Sequence, residues 1–248
     1  MEVLGIITAR GGSKSIPRKN IAMCAGNPLM YYIIQAAKNA KSITRLIIST
    51  DDEEMAEYAR SLGVEVPFMR PKEFAKDDSP DIETFQHALR ALKEKESYVP
   101  EFLVHLRPTA PLTRASDIDK GVDLLRAHAE VDSVRSVCES PLSPFKIYRL
   151  DSEGCLQPLL KQEFPEVYKQ FPEPFNAERQ LLPVTWRQSG TADVVRARVV
   201  SDGKMNGEKI LPVFTDQSRD IDIDTFEDLA AAERIIERLW RDKKEVWE

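Results

Sequence analysis

Val3-Leu4-Gly5-Ile6-Ile7 runs, through Thr8-Ala9, straight into Arg10-Gly11-Gly12-Ser13-Lys14-Ser15-Ile16-Pro17-Arg18-Lys19-Asn20. The apolar run reads as a buried first strand. The chain then enters a loop with two glycines, two hydroxyls and four cations: Arg10, Lys14, Arg18 and Lys19. Adjacent glycines free the backbone to turn N–H groups toward an anion. Pro17 stiffens the loop and lowers the entropy lost on binding. The spacing matches neither G-x-x-x-x-G-K-[ST] nor G-x-G-x-x-G. A surface turn with solvated charges is the alternative reading. Four cations in one short turn directly after a core strand favour a phosphate site.

Outward from this loop, strand and helix signals alternate. Pro28 to Ala40 reads as a helix with Leu29, Ile33, Ala36, Ala37 and Ala40 on its inner stripe. Arg45 to Thr50 reads as a strand. Asp51-Asp52-Glu53-Glu54 opens a helix, where acidic residues suit the positive N-terminal end. Gly63 stops that helix, and Val64 to Met69 reads as another strand. Ser79-Pro80 is an N-cap and N1 pair for a helix to Glu96. Phe102 to Leu106, Asp132 to Cys138, Ala192 to Val200 and Lys209 to Thr215 continue the alternation. Ala115 to Ala129 and Thr225 to Trp240 read as helices. The expectation is an α/β, mostly parallel sheet with helices on both faces.

The pattern breaks between Glu139 and Gln188. Two apolar runs flank Asp151-Ser152-Glu153-Gly154, a hairpin signal. A stretch with Pro165, Pro172, Pro174 and Pro183, plus Tyr168, Phe171 and Phe175, follows without helical period. Such an excursion seldom packs only on itself. It reads as a dimerisation arm, 139–188, inserted in one domain spanning 1–248, with an ordered lid as the alternative.

Length, 248 residues with 42% hydrophobic, permits a substantial core. A net charge of −6 argues against nucleic acid as partner. The cationic loop is a local exception, so a local anionic ligand is expected. Cys24, Cys138 and Cys155 form no metal or redox spacing, which suits a reducing, cytoplasmic setting. No stretch reads as a signal peptide or a membrane span.

A second constellation is Asp220-Ile221-Asp222-Ile223-Asp224-Thr225. If extended, it sends its carboxylates one way and its isoleucines into the core. Hard oxygen ligands suit Mg²⁺, which uses one or two carboxylates plus phosphate oxygens. The alternative is an acidic segment that caps the next helix. A nucleoside triphosphate carries about four negative charges, and the two constellations together would neutralise them. Asp51, Asp52, Arg70 and Arg107 also follow strands, where open parallel sheets bind ligands. His105 reads as a core-strand histidine.

The motif Thr8 to Asn20 closely resembles the opening signature of the acylneuraminate cytidylyltransferases, or CMP-sialic acid synthetases. The likeness continues through Ser49-Thr50-Asp51-Asp52, Arg70-Pro71, Arg107-Pro108-Thr109-Ala110-Pro111-Leu112 and Asp222-Ile223-Asp224-Thr225. It implies a Rossmann-like fold of the nucleotide-sugar transferase type, a homodimer, CTP as donor and Mg²⁺ as cofactor. The reaction it implies joins CMP to a 2-keto-3-deoxy acid sugar with release of pyrophosphate. By the same resemblance, Arg10, Ser13 and Lys14 contact the triphosphate, with Lys19 nearby. Asn20 and Arg70 hold the cytidine, and Asp222 and Asp224 hold the metal. A second ion could draw on Asp220. Lys146, Arg179, Arg187 and Gln188, with Arg107, fall on the acceptor side.

Two positions depart from the pattern. Arg107 stands where the family usually has Gln, and Asp193 stands where it usually has an aromatic residue. The acceptor thus stays open among N-acetylneuraminate, legionaminate, pseudaminate and related nonulosonates. Two rival readings remain at this point. One is a nucleotidyltransferase for another base or a sugar phosphate. The other is a catalytically silent nucleotide-binding subunit.

Overall fold

The structure is a computed structural model that describes residues 1–247. Along the chain run β1 (Val3–Thr8), β2 (Met23–Cys24), β3 (Asn27–Pro28), α1 (Leu29–Asn39), β4 (Arg45–Ser49), α2 (Glu53–Ser61), α3 (Asp81–Glu96), β5 (Phe102–Leu106), α4 (Ala115–Ala127) and β6 (Ser133–Glu139). Then come β7 (Tyr148–Leu150), β8 (Leu156–Pro158), α5 (Pro165–Gln170), β9 (Trp186–Gln188), β10 (Asp193–Arg196), α6 (Ala197–Ser201), β11 (Ile210–Phe214) and α7 (Phe226–Arg241).

The main sheet has the order β11-β6-β10-β5-β1-β4. β1 sits between β4 and β5 and is parallel to both. β10 alone on this path runs antiparallel, to both β5 and β6. Alternation in β1 explains the layers. Val3 and Ile7 face one core with Ile33 and Ile34 of α1 and Ile118 and Val122 of α4. Leu4 and Ile6 face the other with Phe85, Ala88 and Leu92 of α3. A Cβ at Gly5 would sit 3.0 Å from the Leu46 side chain, so glycine lets that side chain pack close against β1.

The chain steps from β1 to β4 on one side and to β5 on the other. The order therefore reverses beside β1, and the loops after β1 and β5 diverge to leave a crevice. A third core joins Ile16 of the first loop, Leu29 and Tyr32 of α1, Leu112, Ile223, and Ala232 and Ile236 of α7. It packs the segment before α7 against the first loop.

Several expected elements differ in detail. Val64 to Met69 forms no ladder, and only Glu65 bridges, in parallel, to Ile47. Pro67 lacks the N–H that further pairing requires. Ser79 is not the N-cap of α3, since Pro80 holds that position. Its hydroxyl instead donates to the Glu73 carbonyl and accepts from the Lys76 N–H, closing the loop before the helix. Residues 220–225 lie outside any strand, yet Ile223 is buried while Asp222 and Asp224 are exposed, so the alternation holds.

The chain divides into two compact units, and the second is Cys138–Gln188. Within it, β7 and β8 pair as an antiparallel hairpin. Asp151 accepts the Glu153 and Cys155 N–H groups in the turn. Phe145, Val167 and Leu182 form its small core. α5 was not expected. It is six residues long, too short to show a period, and begins with Pro165 where a missing N–H costs nothing.

Candidate functional site: a cationic cleft at the strand ends

A cleft of about 510 Å³ opens at the carboxyl ends of β1 and β5. Thr8, Arg10, Ser13, Lys14, Lys19, Asn20, Arg70, His105, Arg107 and Asp224 line it. The six predicted nucleotide residues and one predicted metal ligand thus line one cleft. The link between the two ends of the chain is direct. Lys19 Nζ donates to the Ile223 carbonyl at 2.7 Å and lies 3.0 Å from Asp224 Oδ1. The Ile223 N–H donates to the Thr109 carbonyl at 2.8 Å.

Every cation of the first loop is paired, two of them with the same carboxylate. Arg10 Nη1 and Lys14 Nζ each lie 2.8 Å from opposite oxygens of Asp77. That contact with Lys14 holds the Asp77 carboxyl below its ordinary range and raises the Lys14 ammonium. Arg18 lies outside the cleft lining. It pairs with Asp52 at 2.8 Å and with Glu54 at 2.6 Å, tying the loop to the start of α2. Its expected place among the phosphate cations is therefore corrected. α2 itself needs Asp52, which caps its N-terminus by accepting from the Met55 N–H.

The glycines act differently from the expectation as well. Neither has positive φ among the described residues. Gly11 is required for close approach: a Cβ would meet Asp52 Oδ2 at 3.0 Å. Its N–H donates to Asp51 Oδ1 at 2.8 Å. Asn20 is buried and donates to the Arg10 carbonyl at 2.9 Å, fixing the loop's shape. Arg70 is buried against Ser49, donating to both its carbonyl and its hydroxyl. Burial lowers the Arg70 pKa to about 10, which still leaves it cationic at neutral pH.

The two positions that depart from the family pattern are partners. Arg107 Nη2 lies 3.0 Å from Asp193 Oδ2, and its Nη1 donates to the Gly190 carbonyl at 3.1 Å. His105, directly across the β5–β10 ladder from Asp193, is buried at the cleft floor. Its Nε2 meets the Thr8 hydroxyl at 3.1 Å. Burial, then the guanidiniums of Arg107, Arg135 and Arg70, push its pKa well below the ordinary value. It is a neutral imidazole at physiological pH.

Asp222 is exposed and stands outside the cleft lining. No group of three or more His, Cys, Asp or Glu side chains suited to a metal occurs among the described residues. Magnesium asks for only one or two carboxylates when phosphates supply the rest. Asp224, an exposed carboxylate that lines the cleft, fits that mode. Lys146, Arg179, Arg187 and Gln188 belong to the second unit. There, Arg179 Nη2 binds Glu139 at 2.7 Å and the Ser140 carbonyl at 2.9 Å. Sequence reasoning missed Asp77, Asp81 and Thr84, which border the cleft, because only the fold brings them to the first loop.

The cytidylyltransferase family model matches residues 4–198, most of the chain. The chain belongs to the cytidylyltransferase family. This cytidylyltransferase is therefore a CTP-dependent nucleotidyltransferase with a Rossmann-like fold. It is 29% identical over 239 residues to CMP-N,N'-diacetyllegionaminic acid synthase of Legionella pneumophila, covering 96% of this chain and 97% of that one. It is 39% identical over 112 residues to pseudaminic acid cytidylyltransferase of Campylobacter jejuni, covering 45% and 48%. It is 32% identical over 139 residues to N-acylneuraminate cytidylyltransferase of Escherichia coli, covering 56% of this chain and 32% of that one. The cytidylyltransferase also shares its fold with CMP:2-keto-3-deoxy-manno-octonic acid synthetase, solved with CTP. The TM-score is 0.68 at 14% identity, covering 96% of this chain and 99% of that one.

Proposed function

We propose that this cytidylyltransferase activates a nine-carbon 2-keto-3-deoxy acid sugar, a nonulosonate, as its CMP derivative. The observation that carries the reading is one cleft lined by Arg10, Lys14, Lys19 and Asp224 together. The names of its relatives, which act on legionaminic, pseudaminic and N-acylneuraminic acids, supply the acceptor class.

In this reaction the anomeric hydroxyl oxygen attacks the α-phosphorus of CTP in line. A P–O bond forms, the bond to the β-phosphate bridge breaks, pyrophosphate leaves with the electron pair of that bond, and the hydroxyl proton is released to water. Arg10 and Lys14, with Ser13, hold the triphosphate and stabilise the leaving group. Lys19 orients the segment that carries Asp224. Asn20 and Arg70 hold the cytidine. Asp224 and Asp222 are the residues that would hold Mg²⁺, which when bound screens charge on the phosphate oxygens. Little covalent chemistry is asked of the protein, so no nucleophilic side chain is needed.

Arg107, Lys146, Arg179, Arg187 and Gln188 are the acceptor-side residues of the same reading. The unit Cys138–Gln188 serves a homodimer. Leu142, Leu150, Leu156, Leu181 and Val184 of that unit are each more than half exposed, a density of apolar surface that supports an interface. A cytoplasmic setting suits CTP as donor, and no helix among the described residues is long and apolar enough to cross a membrane.

One panel tests the acceptor: CTP, Mg²⁺ and a set of nine-carbon keto acids, read by pyrophosphate release. Release with legionaminate-, pseudaminate- or neuraminate-type acids is expected. Silence with every acid, alongside release with a sugar phosphate, would overturn the reading.

A further inference from the structure

Arg107 stands at the cleft with its guanidinium already engaged on one side. Asp193 Oδ2 takes Nη2 at 3.0 Å and the Gly190 carbonyl takes Nη1 at 3.1 Å. Asp193 is itself fixed. Its side chain is 7% exposed, and its Oδ1 accepts the Ser136 N–H at 3.2 Å. Arg135 Nη2 approaches the same carboxylate oxygen as Arg107, at 3.6 Å. Two guanidiniums therefore face one buried carboxylate, and the neutral His105 beside them adds no charge. Arg107 itself lines the cleft.

A buried carboxylate that locks one edge of an arginine leaves it less rotamer freedom to lose on binding. Such an arginine is suited to a second anion, and carboxylates are its natural partner. The cations Arg10, Lys14 and Lys19 stand on another part of the cleft and pair with other carboxylates, Arg10 and Lys14 with Asp77 and Lys19 with Asp224.

We propose that Asp193 is a positioning residue that holds Arg107 as the counter-ion for the acceptor's carboxylate, and so sets the preference for an acid sugar. The proposal rests on the acid-sugar reading of the cleft. The pair decides acid over neutral acceptor, while the first loop decides the nucleotide.

The experiment compares an accepted keto acid with its methyl ester, in the wild-type chain and in Asp193→Asn and Arg107→Met. Affinity for each is read as KM, or as Ki where the ester does not turn over, and KM for CTP is measured beside it. The expected result is a preference for acid over ester that falls about tenfold or more in both variants. KM for CTP should stay within about twofold. A structural role alone would lower thermal stability and leave the acid-to-ester ratio intact. An unchanged ratio in both variants overturns the proposal, as does an equal rise in KM for CTP and acid. Should Asp193→Asn fail to fold, the ratio in Arg107→Met decides. A wild type silent with every acid sinks the acid-sugar reading and this proposal together, whereas an active wild type with an unchanged ratio sinks the proposal alone.

Discussion

Asp77 holds Arg10 and Lys14 in the way a phosphate would: two oxygens, each 2.8 Å from a different cation. In the proposed reaction a triphosphate takes over those contacts. The Asp77 carboxylate thus competes with the ligand it preforms the site for. Asp77→Asn should strengthen CTP binding several-fold when measured by titration calorimetry. Weaker binding would mean that Asp77 mainly holds the cations in place. Lys14→Ala acts in the other direction, with loss concentrated in triphosphate affinity; an unaltered CTP dissociation constant would remove Lys14 from the phosphate set. Asp224→Ala should cut turnover by orders of magnitude with the fold intact, since Asp224 is the cleft-lining carboxylate proposed to hold the metal. Near-normal turnover at saturating magnesium would end its metal role.

At the scale of the element, α7 places Asp224. Thr225 caps the helix by accepting from the Asp228 N–H, and the Thr225 N–H donates in turn to the Asp228 carboxylate. Such a box satisfies two donors that the first turn leaves open. Ile236 and Ala232 then bury the inner face of the helix against α1 and the first loop. Thr225→Ala should cost about 1 kcal/mol of stability, read as a lowered denaturation midpoint. The Thr225 hydroxyl, then its N–H, hold the Asp228 carboxyl below its ordinary pKa. Because the folded value is the lower one, the stabilisation is full above the unfolded value of about 3.9. It is lost as pH falls through the folded value. Asp228→Asn should therefore flatten part of the acid limb of the stability curve; an identical limb in variant and wild type would refute the assignment.

At the scale of the whole molecule, the sheet order puts the loops after β1 and β5 on either side of a crevice, and α7 brings the far end of the chain to it. The proposed homodimer is checked by sedimentation. The 28.2 kDa chain should run near twice that mass, and Leu150→Asp with Leu156→Asp should shift it toward the monomer. A wild type that sediments as a monomer at assay concentration would remove the dimer.

Much of this was legible before any fold was known. The apolar run Val3–Ile7, the strand–helix alternation and the cationic loop are local signals, because period and spacing report which side chains share a face. They carried the sheet class and the family likeness, and they marked the cationic loop that lines the cleft. What only the folded chain decided is the pairing of distant charges. Arg18 went to Asp52 and Glu54, Lys14 to Asp77, Lys19 to Asp224 and Arg107 to Asp193. No spacing rule predicts such partners. An ion pair depends on distance in space, and that distance is set by how helices and loops pack on the sheet.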